Sequence, residues 1–129
     1  MKFGKTIVYV ADVAESLAFF ERAFGLKTRF AQLPNYGEVD AGGATLSFAS
    51  YDVAGYHLPE GYAAAAPPPK RMNFEIALVS ESVEEAFARA VDAGAEPLQA
   101  PSVKPWGQTA SWLRCPDGTF IDLSSPYPA

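Results

Sequence analysis

The fold is decided by residues 5–26, which read KTIVYVADVAESLAFFERAFGL. The β-branched run at residues 5–10 predicts a strand, and Asp12 is a suitable N-cap for the helix that follows. Apolar residues from Val13 to Phe24 recur at the spacing of one helical face. Gly25 then predicts the end of that helix. This stretch is therefore a strand followed by a helix that needs a sheet face to cover its apolar stripe.

The rest of the chain extends this unit and then repeats it. Strands are predicted at residues 26–32 and 37–51, with turns at Pro34-Asn35 and Gly42-Gly43. In the second half a strand is predicted at 72–79, then a helix capped by Ser80 or Ser82 that runs through Val83, Phe87 and Val91 to Gly94, then strands at 96–100, 109–114 and 119–124. The two halves have the same order of elements, which indicates an internal duplication.

This order predicts an α+β protein of two βαβββ modules that form a cupped mixed sheet with the helices on its outer face. We expect a single domain over residues 1–129, with module 1 at about 1–51 and module 2 at about 71–129. The stretch 52–70 contains runs of alanine and proline, and we interpret it as a linker or flap.

Composition excludes several classes of protein. The chain has 129 residues, of which 49% are hydrophobic and 19% charged, so it can form a core and is not globally disordered. Its net charge of −5 argues against a nucleic-acid partner. No apolar run reaches the length of a membrane span, and the N-terminus does not resemble a secretory signal. The single cysteine, Cys115, is typical of a reducing compartment, so we expect a cytoplasmic protein in which Cys115 is an inert turn residue.

Motifs in both halves resemble the vicinal oxygen chelate superfamily, which includes glyoxalase I, extradiol dioxygenases, fosfomycin-resistance enzymes and bleomycin-resistance proteins. They are YVADV at 9–13, SLAFF at 16–20, FGL at 24–26, FEIAL at 74–78, AGA at 93–95, WGQ at 106–108, and PDG at 116–118 before IDL at 121–123. The resemblance covers nearly the whole chain except 52–70. It implies paired βαβββ modules around a cupped sheet, a site between the modules and, in many members, a homodimer.

The resemblance also implies four inward-pointing metal ligands. Matching by motif puts Lys5, Ser47, Glu75 and Asp122 at these positions. An ammonium group has no lone pair to give a metal, and a serine hydroxyl is a poor ligand, so we predict no metal and no other cofactor. The alternative is a hard divalent ion held by Glu75, Asp122 and water.

Three interpretations of the lysine and its two carboxylates stay open. Lys5 can form a structural ion pair with Glu75 or Asp122 that joins the two halves. The same three residues can instead recognise a ligand. They can also be catalytic, with Glu75 or Asp122 as the general base and Lys5 stabilising an oxyanion in place of a metal.

Four further residues are candidates for ligand contact, beside Ser47. Strand alternation places Tyr9 towards the cup. Trp106 lies in a turn that the resemblance places near the mouth of the cup, where a packing role is equally open. Trp112 can form an aromatic wall, although its face is not decided by the sequence. His57 lies in the linker and is either solvated or part of a flap with Tyr56 and Tyr62.

These observations lead to one preferred function and two alternatives. The first is a metal-independent small-molecule binding protein that resembles bleomycin-resistance proteins and holds its ligand in the cupped sheet of a homodimer. The second is a glyoxalase-like lyase or isomerase with a lysine–carboxylate site. The third is a non-catalytic member of the fold. A small molecule is the expected partner in the first two cases, with neither nucleic acid nor membrane.

Overall fold

The computed structural model of the protein describes residues 1–61 and 73–128. The chain divides into two compact units, Met1–Pro67 and Pro68–Ala129. The elements of the first unit are β1 (Thr6–Val10), α1 (Val13–Phe24), β2 (Thr28–Gln32), β3 (Tyr36–Asp40), β4 (Thr45–Ser50) and α2 (Tyr51–His57). Those of the second are β5 (Ile76–Val79), α3 (Val83–Asp92), β6 (Glu96–Val103), β7 (Thr109–Arg114) and β8 (Phe120–Ser124).

Each unit contains one four-stranded mixed sheet. The strand order is β1-β4-β3-β2 in the first unit and β5-β8-β7-β6 in the second. In each sheet the strand before the helix pairs in parallel with the last strand, and the other neighbours are antiparallel. The α+β class and the two βαβββ modules are therefore confirmed.

Helix α1 has the boundaries that its capping residues predict. The Asp12 carboxylate accepts a hydrogen bond from the backbone N–H of Glu15 at 3.0 Å. At the other end Gly25 has a left-handed φ of 70°, and the N–H of Leu26 donates to the carbonyl of Phe20. This is the arrangement in which a glycine ends a helix without steric strain.

The helices bury one face of each sheet. In the first unit the rings of Phe20 on α1 and Phe48 on β4 lie 4.9 Å apart, and both side chains are fully buried. In the second unit Leu113 and Ile121 are cross-strand neighbours and are also fully buried. Strand alternation then directs the intervening side chains to the opposite face of each sheet. This opposite face is called the open face below.

The first part of the predicted linker at 52–70 is helical. Tyr51–His57 is a helix, and the Ser50 hydroxyl caps it by accepting from the N–H of Val53 at 3.2 Å. His57 is therefore the last residue of a helix and not a loop residue. The sequence pattern did not reveal this helix because its N-cap, Ser50, lies inside the strand predicted at 37–51. Residues 62–70, with Tyr62 and the alanine and proline runs, lie outside the described residues.

Two strand boundaries also differ from the prediction. Strand β5 begins at Ile76, whereas residue 72 of the predicted strand lies outside the described residues. Strand β6 runs on to Val103, whereas the predicted strand ends at Ala100, just before Pro101. Its pairing with β7 shifts register near both prolines of the strand, and β6 is the last strand in its sheet. An edge strand tolerates proline because one side of its backbone needs no partner. In the described residues no helix is long and apolar enough to cross a membrane.

Replacing Gly37 by alanine is expected to destabilise the protein by about 1–3 kcal/mol, because the added methyl group would overpack the core at this point. A Cβ atom at Gly37 would lie 2.6 Å from Cδ1 of Leu17, a core residue of α1. Urea unfolding followed by circular dichroism measures the change. Gly55→Ala in α2 is the matched control, since its Cβ would meet nothing within 4 Å. An unchanged urea midpoint for Gly37→Ala would contradict this packing.

Candidate functional site

A polar cluster occupies the open face of the first sheet. It consists of Lys5, Arg29, Tyr36, Glu38 and Ser47 and is called the Tyr36 cluster below. The Tyr36 hydroxyl lies 2.5 Å from Nζ of Lys5, 2.6 Å from Oε2 of Glu38 and 3.0 Å from Oγ of Ser47. A phenol has one proton to donate and two lone pairs, so donation to Glu38 and acceptance from Lys5 and Ser47 use it fully.

The Glu38 carboxylate contacts two cationic side chains. Its Oε2 lies 3.4 Å from Nζ of Lys5, and its Oε1 accepts from Nη2 of Arg29 at 3.1 Å. The same Nη2 donates to the Thr45 hydroxyl at 2.7 Å. Each oxygen of the carboxylate therefore faces a different positive side chain.

These contacts keep the cluster charged at neutral pH. The hydrogen bond from Tyr36, followed by that from Arg29, lowers the pKa of Glu38. The hydrogen bond with Tyr36 is also the largest cause that raises the pKa of Lys5. Glu38 therefore stabilises the fold above its unfolded pKa, and this contribution is lost as the pH falls through the folded pKa. Lys5 contributes below its unfolded pKa and loses its contribution as the pH rises through its folded pKa.

Replacing Glu38 by glutamine is expected to lower the melting temperature at pH 7 but not at a pH below the folded pKa of Glu38. In acid the wild-type carboxyl is itself protonated, so both proteins carry a neutral group there. Thermal melts from pH 2 to pH 8 test this. The exposed Glu60 provides the control Glu60→Gln, for which we expect little change in melting temperature at pH 7. A gap between Glu38→Gln and wild type that persists undiminished at pH 2 would be the contrary result.

The second unit has a cavity of about 580 Å³ on the open face of its sheet. Trp112 lies in it, and its indole N–H donates to Oε2 of Glu75 at 2.8 Å. The lining residues are Asn73, Phe74, Glu75, Leu98, Gln99, Trp112 and Phe120. The structure thus assigns Trp112 to the open face, which its sequence pattern left undecided. The lining of the cavity therefore combines aromatic side chains with one carboxylate, that of Glu75.

Two cations lie against aromatic rings of this cavity. Nζ of Lys104 is 5.2 Å from the centre of the Trp112 ring, and the Arg114 guanidinium is 4.9 Å from that of Phe120. The Lys104 ammonium also donates to Oε1 of Gln99 at 3.4 Å. The faces of these rings are accessible enough to attract charged groups.

Asp122 lies beside the cavity. It is the cross-strand neighbour of Trp112, and its carboxylate accepts a hydrogen bond from the Ser124 hydroxyl. Glu75 and Asp122 are therefore both placed next to the same tryptophan. The predicted ion pair of Lys5 with either acid would join the two units, and it stays a prediction.

The other candidate residues have different surroundings. Tyr9 is half-buried on β1, in the alternate set to the buried Val8 and Val10. Trp106 is exposed in a turn, where its indole N–H donates to Oε1 of Gln108 at 2.8 Å. His57 is exposed, and its ring lies 5.2 Å from that of Tyr56. Trp106 and His57 do not line the cavity described above. Cys115 is buried, and burial raises the pKa of its thiol well above the usual range, which fits an inert residue.

Several residues of these sites were missed by the sequence analysis. Tyr36 and Glu38 alternate on β3, and the alternation of that strand could have found them. Arg29 could not be found this way, because the β2–β3 register shifts between Thr28 and Phe30. Phe74 also lines the cavity, although it shares the alternation of the apolar Ile76 and Leu78. It precedes the first residue of β5, so the alternation of that strand does not extend to it.

The side chains at the four motif-matched ligand positions do not form a set that suits a divalent metal. Lys5 already donates its N–H groups to Tyr36 and Glu38, and Ser47 is engaged with the Tyr36 hydroxyl. Among the described residues, no three His, Cys, Asp or Glu side chains are grouped as a metal site requires. No step is therefore assigned to a metal, and the absence of a cofactor remains a prediction.

Comparison with known proteins identifies a family model and many solved structures. The model described as Glyoxalase/Bleomycin resistance protein/Dioxygenase superfamily matches residues 2–123. None of the curated proteins matches the chain.

Three solved structures illustrate the likeness. A glyoxalase-related enzyme from Fulvimarina pelagi is 18% identical with a TM-score of 0.79, covering 98% of this chain and 88% of its own. The hypothetical protein SA1046 from S. aureus is 17% identical with a TM-score of 0.81, covering 98% and 95%. TioX from Micromonospora sp. ML1 is 20% identical with a TM-score of 0.65, covering 95% and 98%. Likeness at this identity is evidence for the fold alone.

Proposed function

Because the chain belongs to the Glyoxalase/Bleomycin resistance protein/Dioxygenase superfamily, we propose that it is a metal-independent protein that binds a small aromatic or amphipathic molecule. The observation that carries the proposal is the cavity of about 580 Å³ on the second sheet. Its volume falls within the range of sites that hold drug-sized ligands, and such sites combine apolar walls with a few polar groups.

The cavity supplies both kinds of contact. Trp112, Phe74 and Phe120 offer ring faces and edges to a planar ligand. Glu75 has one oxygen fixed by the Trp112 indole, which orients the carboxylate and leaves its second oxygen to accept from a ligand N–H group. A flat compound that carries at least one N–H donor satisfies this arrangement best.

Intrinsic fluorescence tests the proposal, since the chain has only two tryptophans. In Trp106→Phe the remaining emission comes from Trp112 alone. Titration of this variant with quinoline-2-carboxamide and 2-aminoquinoline is expected to give saturable quenching. Quinoline without an N–H donor serves as the matched weak ligand. Quenching that stays linear to the solubility limit for every compound would remove the proposal.

A lyase or isomerase is the second candidate function, and it is favoured by one observation. Lys5 is held as a cation by Tyr36 and Glu38 at a position where related proteins would place a metal ligand. In this candidate Lys5 stabilises an oxyanion, and Glu75 or Asp122 removes a proton. Turnover of methylglyoxal with a thiol by protein treated with a chelator supports it, and inactivity with and without added divalent metal removes it.

A homodimer remains part of the proposal. It rests on the assembly that the resemblance implies. Light scattering coupled to size-exclusion chromatography distinguishes a particle of twice the 13.8 kDa chain mass from a monomer.

A further inference from the structure

We propose that residues 125–128, called the strap below, hold the Lys104 side chain over the ring of Trp112 and thereby limit the entry of ligands to the cavity of the second unit. The proposal rests on the proposed function, since it concerns the regulation of that same cavity. All the residues that carry it belong to the second unit.

The first residue of the strap is hydrogen-bonded to the chain that joins β6 to β7. The N–H of Ser125 donates to the carbonyl of Thr109 at 2.8 Å, and the Ser125 hydroxyl accepts from the N–H of Thr109 at 3.0 Å. Nε2 of the buried Gln108 donates to the carbonyl of Ser125 at 2.7 Å. Three hydrogen bonds therefore attach the strap to the end of the β6–β7 turn and to the first residue of β7.

The far end of the strap lies against Gly107 in the same turn. A Cβ atom at Gly107 would lie 2.8 Å from Cγ of Pro128, so a side chain there would force the strap or the turn to move. Gly107 also has a φ of 97°, a conformation that residues with a side chain rarely adopt. Glycine at this position is therefore what allows Pro128 to pack directly on the turn.

The turn that the strap contacts also carries Lys104. The N–H of Lys104 donates to the carbonyl of Gln108 at 2.8 Å, and the N–H of Gly107 donates to the carbonyl of Lys104 at 2.9 Å. Nζ of Lys104 lies 5.2 Å from the centre of the Trp112 ring and donates to Oε1 of Gln99 at 3.4 Å. Trp112 and Gln99 both line the cavity. The strap is therefore connected through two turn residues to a cation at the cavity wall.

The Lys104 ammonium and a planar ligand compete for the same ring. Lys104 makes a cation–π contact with Trp112, and an aromatic ligand that stacks on that face must displace the ammonium. Such a ligand binds only the fraction of molecules in which Lys104 has left the ring, so its apparent affinity falls with that fraction. The strap keeps the fraction low because it fixes the turn from which Lys104 extends.

Calorimetric titration with neutral quinoline-2-carboxamide tests the strap. We expect binding to tighten about threefold in Lys104→Met and about twofold in a chain shortened after Ser125, since one exposed cation–π contact is lost or loosened. The two changes combined should give no more than Lys104→Met alone, because the strap acts through Lys104. Lys27→Met, at an exposed lysine of the first unit, and Tyr127→Ala, at an exposed side chain of the strap, are the controls and should bind as wild type.

A second measurement does not depend on a ligand. Proton–nitrogen NMR correlation spectra resolve the indole N–H groups of the two tryptophans, and Trp106→Phe identifies the signal of Trp112. Loss of the strap is expected to shift the Trp112 signal in the same direction as Lys104→Met does. Thermal melts establish that the shortened chain is folded. Pro128→Gly, which removes the ring that packs on Gly107, replaces the shortened chain if it is not.

Several results would overturn the strap while leaving the proposed function intact. They are binding by the wild type that is unchanged or weaker in the folded variants, gains that add in the double variant, and a Trp112 signal that does not move when the strap is lost. If no protein in the series binds the amide, the proposed function fails and the regulation of ligand entry fails with it.

Discussion

Replacing Trp112 by alanine is expected to weaken binding of quinoline-2-carboxamide by about 10- to 100-fold, the usual effect of removing an aromatic anchor from a binding site. The substitution removes the ring that lines the cavity and the N–H donor that fixes Glu75 at 2.8 Å. Calorimetry measures the change without relying on tryptophan emission.

Two further variants separate the roles of the ring and the hydrogen bond. Trp112→Phe keeps an aromatic face but cannot donate to Glu75, so we expect an intermediate loss of affinity. Trp106→Ala is the matched control, because Trp106 is an exposed turn residue bonded to Gln108. Equal losses in Trp106→Ala and Trp112→Ala would mean that the cavity is not where the ligand binds.

Replacing Phe48 by alanine is expected to lower the free energy of unfolding by about 3–5 kcal/mol, the range measured for buried phenylalanines. Phe48 is fully buried and contacts the ring of Phe20 at 4.9 Å between centroids. The deletion leaves a cavity between β4 and α1 that the rigid sheet cannot close. Urea unfolding gives the value, and for a chain of this size it is a large fraction of the total stability.

The same substitution on the opposite face provides the comparison. Phe30 is half exposed, and we expect Phe30→Ala to change the unfolding free energy by less than about 1 kcal/mol. A stability loss for Phe30→Ala as large as that for Phe48→Ala would contradict the assignment of helix face and open face.

Local signals predicted the framework of the fold correctly. Helix α1 needed only Asp12 and Gly25 at its two ends, both of which act within a few residues. Phe48 and Ile121 each lie one step along the strand from a motif-matched site position, Ser47 and Asp122, and both are fully buried, as strand alternation requires. The unexpected helix α2 follows from Ser50, whose hydroxyl caps it, although the prediction had extended the preceding strand to residue 51.

The sites could be predicted only in part. Motif matching placed Lys5 and Ser47 at two of the four ligand positions, and the structure joins both to the Tyr36 hydroxyl. It also drew attention to Glu75, which lies in the cavity. The sequence did not reveal that Tyr36 connects the first two residues, because that connection depends on how β3 aligns with β4.

The sequence by itself determined the α+β class, the repeated βαβββ order and the unsuitability of Lys5 as a metal ligand. These properties depend on residue type and on local periodicity, which can be read without knowing what lies across the sheet. Only the tertiary structure decided that Arg29 joins Glu38 and that Trp112 faces the cavity with Glu75. Both outcomes depend on strand register and bulges, and these are set by pairing between segments that are separated along the chain.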